Sequence, residues 1–299
     1  MSKLTWTFLL VGSMAAIAAF YPMVKILHGA IDPYLLAFFR FAIALLALLP
    51  IMAVRHSLKP PPIREWPIFV FIGLCGATAS VLVIIGIGQT NSVVSAILLN
   101  TNPLLVALLA PFLITEQLTP TKIAALVVGF VGVVLVVLNG QNLSALVSSE
   151  YFWGAVIVLV AALFSGLNKI YSKRPVRTYD GLYVTFFGVA LGTVMLGTVV
   201  AISGIFAEPV ELTLREWIFV VAIGVFSSAI PWTIWNSSLK HLDVHVAASF
   251  MLLIPVFATL YSLIFLTESI TPWMVVGMIL TSVGIYFVQR EESVSATSV

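Results

Sequence analysis

Residues 94–132 read VSAILLNTNPLLVALLAPFLITEQLTPTKIAALVVGFVG, and residues 247–284 repeat their pattern as AASFMLLIPVFATLYSLIFLTESITPWMVVGMILTSVG. Equivalent positions stand 152 apart without a gap, and they pair Ala96 with Ala248, Pro103 with Pro255, Glu116 with Glu268, Thr119 and Pro120 with Thr271 and Pro272, and Gly132 with Gly284. Each copy holds an apolar run broken by a proline, a polar turn and a second apolar run. The chain therefore contains a duplicated unit with two hydrophobic segments at its end.

Composition predicts that these segments lie in a membrane. Hydrophobic residues make up 61% of the 299 residues, charged residues make up 9%, and the mean hydropathy is +1.14. About 20 apolar helical residues cross a bilayer core of about 30 Å. Runs such as AALVVGFVGVVLVVL lack the alternation of a membrane β-strand, so we expect helices. So few charges exclude a basic face for nucleic acid, and a single cysteine, Cys75, excludes an intrachain disulfide.

Ten apolar segments are separated by polar or proline-bearing turns. They lie near residues 5–26, 33–54, 66–88, 93–114, 120–139, 151–172, 181–204, 216–238, 244–266 and 272–290. Most lysines and arginines fall on the inner side if the N-terminus is cytoplasmic, so we expect both termini in the cytoplasm.

Each copy of the duplicated unit contains five of these segments. Because five is odd, the second copy enters the membrane from the opposite side, as in many transporters. The predicted fold is all-α, with ten transmembrane helices as two inverted five-helix repeats around a central cavity. The first repeat is residues 1–140, an outer linker is 141–150, the second repeat is 151–290, and a cytoplasmic tail is 291–299.

Three motifs resemble a known family. They are the TE-x-(L/I)-TP turns at residues 115–120 and 267–272 and the segment FFRFAIALLAL at residues 38–48. With the five-plus-five pattern, they resemble the drug/metabolite transporter superfamily, in particular its EamA-type branch. The chain is most similar there to bacterial exporters of aromatic amino acids, although exporters of other amino acids and metabolites share these motifs. The resemblance implies a multi-pass protein of the bacterial inner membrane that exports small molecules.

The repeat-related prolines are expected at the middle of the membrane. Pro103 lies twelve residues past Asn91, and Pro255 lies eleven residues past Val244, on helices that enter from opposite sides. At 1.5 Å per residue both depths are roughly 16–18 Å. A proline leaves a backbone carbonyl without its usual donor, and hydrocarbon cannot supply one. We therefore expect a substrate site at this level.

Asn100 and Asn102 flank the first of these prolines. They are about 200° apart around a helix, so both cannot face one cavity. Asn102 shares a face with Asn91 and Ser95, which favours Asn102 as the cavity residue. The alternative for either residue is a hydrogen bond between helices.

Further candidates come from polar and aromatic stripes on three other segments. Ser228, Trp232 and Trp235 follow helical spacing, and their ring faces suit an aromatic solute, although tryptophans near helix ends are also interfacial anchors. Lys169 is either a charge that snorkels to the inner surface or a partner for a substrate carboxylate. The candidate substrate-binding residues are Asn102, Asn100, Tyr21, Trp232, Ser228, Trp235, Asn168 and Lys169.

Other features favour structural roles. Arg40 is expected to pair with a helix terminus or an acid, or else to attract anionic groups of a solute. Glu116 and Glu268 precede Thr-Pro helix starts and indicate turn architecture. Small residues spaced four apart, Ala125 with Gly129 and Gly188 with Gly192, serve internal packing or dimerisation, so the chain is expected to be a monomer or a homodimer.

The mechanism is predicted from what the sequence lacks. None of its twelve acidic residues lies in the central part of a predicted segment, so we expect uniport or facilitated efflux, with proton coupling through histidine or terminal acids as the alternative. The chain contains no HExxH, GxSxG or Walker-type motif, which argues against an enzyme, and no cofactor or metal is expected. The chain also lacks a Gly-rich run of the kind that forms a channel's selectivity filter, which argues against a channel.

Overall fold

The computed structural model describes residues 3–56, 59–105, 108, 119–141, 150–205, 210–238, 250–266 and 268–297. Within these ranges the chain forms helices joined by turns and contains no β-strand longer than an isolated bridge. The first half contains α1 Lys3–Ala18, α2 Phe20–Leu27, α3 Pro33–His56, α4 Trp66–Gln89, α5 Ser92–Leu99 and α6 Pro120–Leu138. The second half contains α7 Glu150–Thr178, α8 Gly181–Ile202, α9 Leu214–Gly224, α10 Ile230–Ser238, α11 Leu253–Phe265 and α12 Pro272–Thr297.

Six stretches of the described chain are long and apolar enough to cross a membrane. They are Thr5–Leu27, Pro33–Arg55, Ile63–Gln89, Glu150–Val176, Gly181–Ile202 and Leu214–Ser238. Four shorter apolar helices lie at the remaining predicted segments: Ser92–Leu105, Ile123–Leu138, Leu253–Phe265 and Pro272–Val288. Large apolar side chains such as Leu46 and Ile264 are two-thirds exposed, as expected for a surface that faces lipid. The all-helical membrane fold is therefore confirmed, while the ten-helix inverted repeat stays a prediction.

An aspartate starts the second membrane-spanning stretch of each half, α3 in the first half and α8 in the second. The Asp32 carboxylate accepts the N–H groups of Tyr34 and Leu35, and the Asp180 carboxylate accepts those of Leu182 and Tyr183. An aspartate at this position satisfies donors that a helix start otherwise leaves unpaired. The two halves thus use the same residue type for the same local purpose.

Close glycine contacts join helices of the two halves. An added Cβ on Gly284 of α12 would lie 2.5 Å from the Cα of Gly129 and 2.7 Å from the Ala125 carbonyl of α6. In the same way, a Cβ on Gly73 of α4 would lie 3.0 Å from the backbone nitrogen of Gly192 on α8. The predicted small-residue pairs therefore serve packing within the chain, because they let backbones approach where a side chain would not fit.

Two helices extend past the apolar runs that predicted them. The last segment was expected to end near residue 290, but α12 continues to Thr297, through most of the predicted tail. Likewise, α7 continues to Thr178 and contains Pro175. Hydropathy marks the end of an apolar run, whereas a helix continues until a residue that breaks it, so polar extensions escape a hydropathy reading.

Candidate functional site

One helix in each half breaks at a nearly equivalent position of the repeat. After α5, residues 100–101 form a turn, and residues 102–105 are helical again. In the second half, residues 251–252 form a turn directly before α11. A helix break inside a membrane protein is tolerated only where other groups satisfy the freed backbone.

The first break is repaired within its own segment. Pro103 has no N–H and its ring displaces the carbonyl four residues earlier, which is that of Leu99. The amide nitrogen of Asn102 donates to this carbonyl oxygen at 3.1 Å. Asn102 is only 4% exposed, so its side chain replaces a bond that water cannot supply.

The second break is repaired from the opposite half. Pro255 frees the carbonyl of Met251 by the same reasoning, and the amide nitrogen of Asn100 donates to that oxygen at 2.7 Å. The two asparagines therefore serve the two carbonyls that the two prolines free, and one of these bonds joins the halves. We call Asn100, Asn102, Pro103, Met251 and Pro255 the proline junction.

Lys169 of α7 extends its side chain to the proline junction. Its Nζ donates to Oδ1 of Asn102 at 3.2 Å and lies 3.6 Å from the sulfur of Met251. Side chains tilt toward the N-terminus of their helix, which for α7 is the predicted outer end. The ammonium therefore does not snorkel to the inner surface but lies against both broken helices.

Arg40 of α3 organises a second group, the arginine cluster. Its Nε donates to Oγ of Ser228 at 2.8 Å and its Nη1 to Oγ of Ser80 at 3.3 Å. The guanidinium carbon lies 4.1 Å from the ring centre of Phe20 and 5.1 Å from that of Trp232. The expected acid or helix terminus is not among its described contacts, because hydroxyl groups and ring faces take that place.

Ser228 reaches Arg40 from an irregular part of its helix. Residues Val225–Ala229 form a π-helical turn between α9 and α10, and the Ser228 hydroxyl donates to the carbonyl of Ile223 while accepting from Arg40. A π-helical turn inserts one residue and shifts the facing of those that follow. Because a prediction from sequence periodicity assumes a regular α-helix, it could not predict that the Ser228 side chain points toward Arg40.

The remaining candidate residues occupy different surroundings. Tyr21 is buried and packs edge-on against Phe20, which places it beside the arginine cluster. Asn168 donates its amide to the Ile72 carbonyl of α4 at 2.7 Å, so this amide joins two helices. Trp235 is half-buried against the main apolar core.

At the predicted outer end, the turn before α12 holds the start of α5. The Glu268 carboxylate accepts the backbone N–H of Ser92 at 3.1 Å and its hydroxyl at 2.7 Å. The Ser92 and Ser262 hydroxyl oxygens are 2.6 Å apart. We call these three residues the outer clamp. Glu268 was expected only to shape its own turn, but it also caps a helix of the other half.

Lys25 lies near the outer clamp. Its ammonium donates to the carbonyl oxygens of Ile87, Gly88 and Thr90 at 3.1, 2.9 and 2.6 Å, which is the favourable placement of a cation at the end of α4. Beside it opens a polar pocket of about 390 Å³, with Tyr151 in its wall.

Some features lie outside the described residues or went unnoticed in the sequence. Glu116, which was expected to shape its turn, falls outside the described ranges. Sequence reasoning missed Ser80 and Ser92, because an isolated serine in an apolar helix carries no signal until its partner is known.

Comparison with known proteins identifies the family. The sequence pattern of the EamA-like transporter family matches residues 4–138 and again residues 152–290. The chain belongs to the EamA-like transporter family. It is accordingly a multi-pass membrane transporter that acts on small molecules, and the family is not one of enzymes.

Individual relatives of this EamA-like chain agree. An "uncharacterized transporter" of Archaeoglobus fulgidus is 26% identical over 285 residues, covering 95% of this chain and 97% of the relative. The "uncharacterized transporter YyaM" of Bacillus subtilis is 23% identical, with 95% and 93% covered. A chloroplastic WAT1-related protein of Arabidopsis thaliana is 25% identical, with 87% and 63% covered. One solved crystal structure shares the fold, with a TM-score of 0.65 and 21% identity over 96% of this chain and 98% of that chain.

The bond between the halves of this EamA-like chain should contribute to stability. Asn100→Leu keeps the shape of the side chain but leaves the Met251 carbonyl with only the backbone N–H of Ile254 as donor. We expect a loss of about 1–3 kcal/mol, seen as a lower melting temperature in detergent by circular dichroism. Thr198→Val is the control, because the exposed Thr198 hydroxyl bonds only to the carbonyl one turn earlier in its own helix. Equal melting of the two variants would contradict a supporting role for Asn100.

Proposed function

We propose that this chain moves small metabolites across the membrane by alternating access. The solutes are amino acids, aromatic ones included, and the direction is export by uniport or facilitated efflux. The fold we propose for it has ten transmembrane helices in two inverted repeats, residues 1–140 and 151–290, joined by an outer linker at 141–150 and followed by a tail at 291–299. It lies in the bacterial inner membrane with both termini in the cytoplasm.

The proline junction carries this proposal. One broken helix from each half meets the other there, through the bond from Asn100 to the Met251 carbonyl. Transporters with inverted repeats place their substrate sites where discontinuous helices meet near the middle of the membrane. We propose that the halves also rotate about this junction, which joins them by a few polar contacts.

The substrate site that we propose surrounds this junction. Lys169 provides a cation, Asn100 and Asn102 provide amides, and Trp232 and Trp235 of α10 provide ring faces. Tyr21, Ser228 and Asn168 complete the set from neighbouring helices. The arginine cluster lies beneath Trp232, since the Arg40 guanidinium is 5.1 Å from that ring. A flat side chain that slides over Trp232 would thus meet a surface already held in place by Arg40.

The positions of the acidic residues support the proposal of uniport. All twelve lie at segment ends or in loops of the sequence. A proton carrier within the membrane usually needs a carboxylate or a histidine facing the transport route. Neither residue type lies at the proline junction among the described contacts.

Transport should be measurable in liposomes. Purified protein in vesicles loaded with unlabelled phenylalanine should accelerate entry of labelled phenylalanine, and the initial rate should saturate with concentration because each cycle uses one site. Tryptophan and threonine added outside should compete if amino acids form the substrate class. Protein-free vesicles give the background rate.

The alternatives predict different results in the same vesicles. Flux that rises linearly and without selectivity would indicate a channel. Flux that requires a pH gradient would contradict uniport and indicate that the solute is exchanged for protons. Saturable flux of other metabolites without competition by amino acids would keep the transporter and contradict the amino acid assignment.

A further inference from the structure

Two cations lie within the helical bundle, and neither has a carboxylate partner in the described part of the chain. Arg40 is 8% exposed and Lys169 is partly buried. Within the described residues, the hydrogen bonds that Arg40 and Lys169 donate go to uncharged acceptor atoms. An ionised side chain removed from water is costly unless another charge or several hydrogen bonds compensate it.

The two cations differ in how well the protein satisfies them. Arg40 has two hydroxyl acceptors, from Ser80 and Ser228, and two aromatic faces. Two of its five N–H donors and its planar face thus contact four different side chains, which fixes the orientation of the group as in a structural role. Arg40 is therefore held by the fold itself.

Lys169 is less well satisfied. An ammonium has three N–H donors, but within the described part of the chain its one good acceptor is Oδ1 of Asn102, since the sulfur of Met251 is a weak acceptor. It is also placed at the proline junction, where the two halves meet. A group with spare donors at this point is available to a visiting solute.

We propose that Lys169 binds the carboxylate of the transported solute, so that the chain recognises carboxylic acids and discriminates against their amides. This inference rests on the proposed function and names its substrate class. Asn102 positions the ammonium, because its Oδ1 accepts from Lys169 while its amide nitrogen is committed to Leu99. A carboxylate supplies both the missing acceptors and the missing countercharge. An amide of the same shape supplies a single weaker acceptor and no charge.

The test compares three compounds that share one phenyl ring. Phenylalanine has a carboxylate and an ammonium, 3-phenylpropionate has only the carboxylate, and phenylalaninamide has only the ammonium. Each is added as a competitor to vesicles that exchange labelled phenylalanine. We expect phenylalanine and 3-phenylpropionate to compete and phenylalaninamide to be weaker by roughly 10- to 100-fold, the range for a hydrogen bond to a charged group.

Variants show whether Lys169 is responsible. Lys169→Gln should lose the preference for the acid over the amide, and Lys169→Arg should keep part of it because the charge remains. Arg64→Gln is the matched control, since it removes an exposed cation that lies before α4. Size-exclusion profiles in detergent establish that each variant is folded.

A binding measurement separates this inference from the proposed function. The melting temperature of the detergent-purified protein is recorded with each of the three compounds. Stabilisation by the two acids in the wild type but not in Lys169→Gln supports the carboxylate site, even if no flux is found and the transport proposal fails. Equal effects of acid and amide, or an unchanged acid preference in Lys169→Gln, would overturn the inference while leaving saturable transport intact.

Discussion

Replacing Gly284 with alanine should destabilise the whole protein. The new Cβ would lie 2.5 Å from the Cα of Gly129 and 2.7 Å from the Ala125 carbonyl oxygen, both of which belong to the backbone of α6. A flexible side chain could move aside, but a helix backbone moves only as a unit. We expect a loss of about 3 kcal/mol, measured as a lower melting temperature and a smaller monodisperse fraction after extraction in detergent.

Gly12→Ala is the matched control for this experiment. Both glycines lie inside helices, but apart from its chain neighbours and the backbone of its own helix, no described atom lies within 4 Å of a Cβ added to Gly12. Alanine favours a helix over glycine by about 1 kcal/mol, so Gly12→Ala should be neutral or slightly stabilising. If Gly284→Ala melted like this control, the close approach of α6 and α12 would be refuted.

Replacing Glu268 with alanine should open the predicted outer end of the bundle. The Glu268 carboxylate accepts two hydrogen bonds from Ser92 and so holds the start of α5 against the turn before α12. Hydrogen bonds to a charged acceptor contribute about 1.5–3 kcal/mol, and a shift of that size changes a closed-to-open ratio roughly 10- to 100-fold. Transport that is limited by outer opening should become faster.

A buried reporter would measure this opening. Ser95 is fully buried one turn beyond Ser92, and Cys75 is the only cysteine of the chain. In a Cys75→Ala, Ser95→Cys background, a membrane-impermeant maleimide should label the protein at least roughly 10-fold faster once Glu268→Ala is added, as expected from the change in the ratio.

Glu216→Ala provides the comparison for this labelling experiment. Glu216 also stands near the predicted outer end, but its hydrogen bonds within the described ranges are with Thr213 at the start of its own helix. Its removal should leave the labelling rate of Ser95→Cys unchanged. If Glu268→Ala labelled no faster than this variant, the outer clamp would have no role in closing the outer end.

Sequence reasoning was most successful where a local pattern decides the outcome. Long apolar runs gave membrane-spanning helices. Asp32 and Asp180 cap the helices that begin the second membrane-spanning stretch of each half, a bond that each aspartate makes within its own segment. The prolines at 103 and 255 follow helix breaks because a proline acts on the carbonyl four residues before it, which is a fixed distance along the chain.

The same reasoning was weaker for side chains with distant partners. Arg40 was expected to meet an acid or a helix terminus, or else anionic groups of a solute. Within the described ranges it bonds to Ser228, far away in the sequence, which lies in a π-helical turn. Asn100 and Asn102 were each expected either to face the cavity or to form a hydrogen bond between helices. In the structure both side-chain amides donate to backbone carbonyls whose usual helical donor is replaced by a proline. Helical periodicity assumes an unbroken helix, and these residues stand at a break.

By itself, the sequence determined that the chain is a helical membrane protein with a duplicated unit, because apolar length and repeated motifs are properties of single segments. Only the tertiary structure decided that Asn100 serves the carbonyl freed by Pro255, that Glu268 holds Ser92, and that the Lys169 ammonium turns toward the proline junction. These contacts join residues from 67 to 176 positions apart. A distance in space between such residues depends on how whole helices pack, which no local pattern encodes.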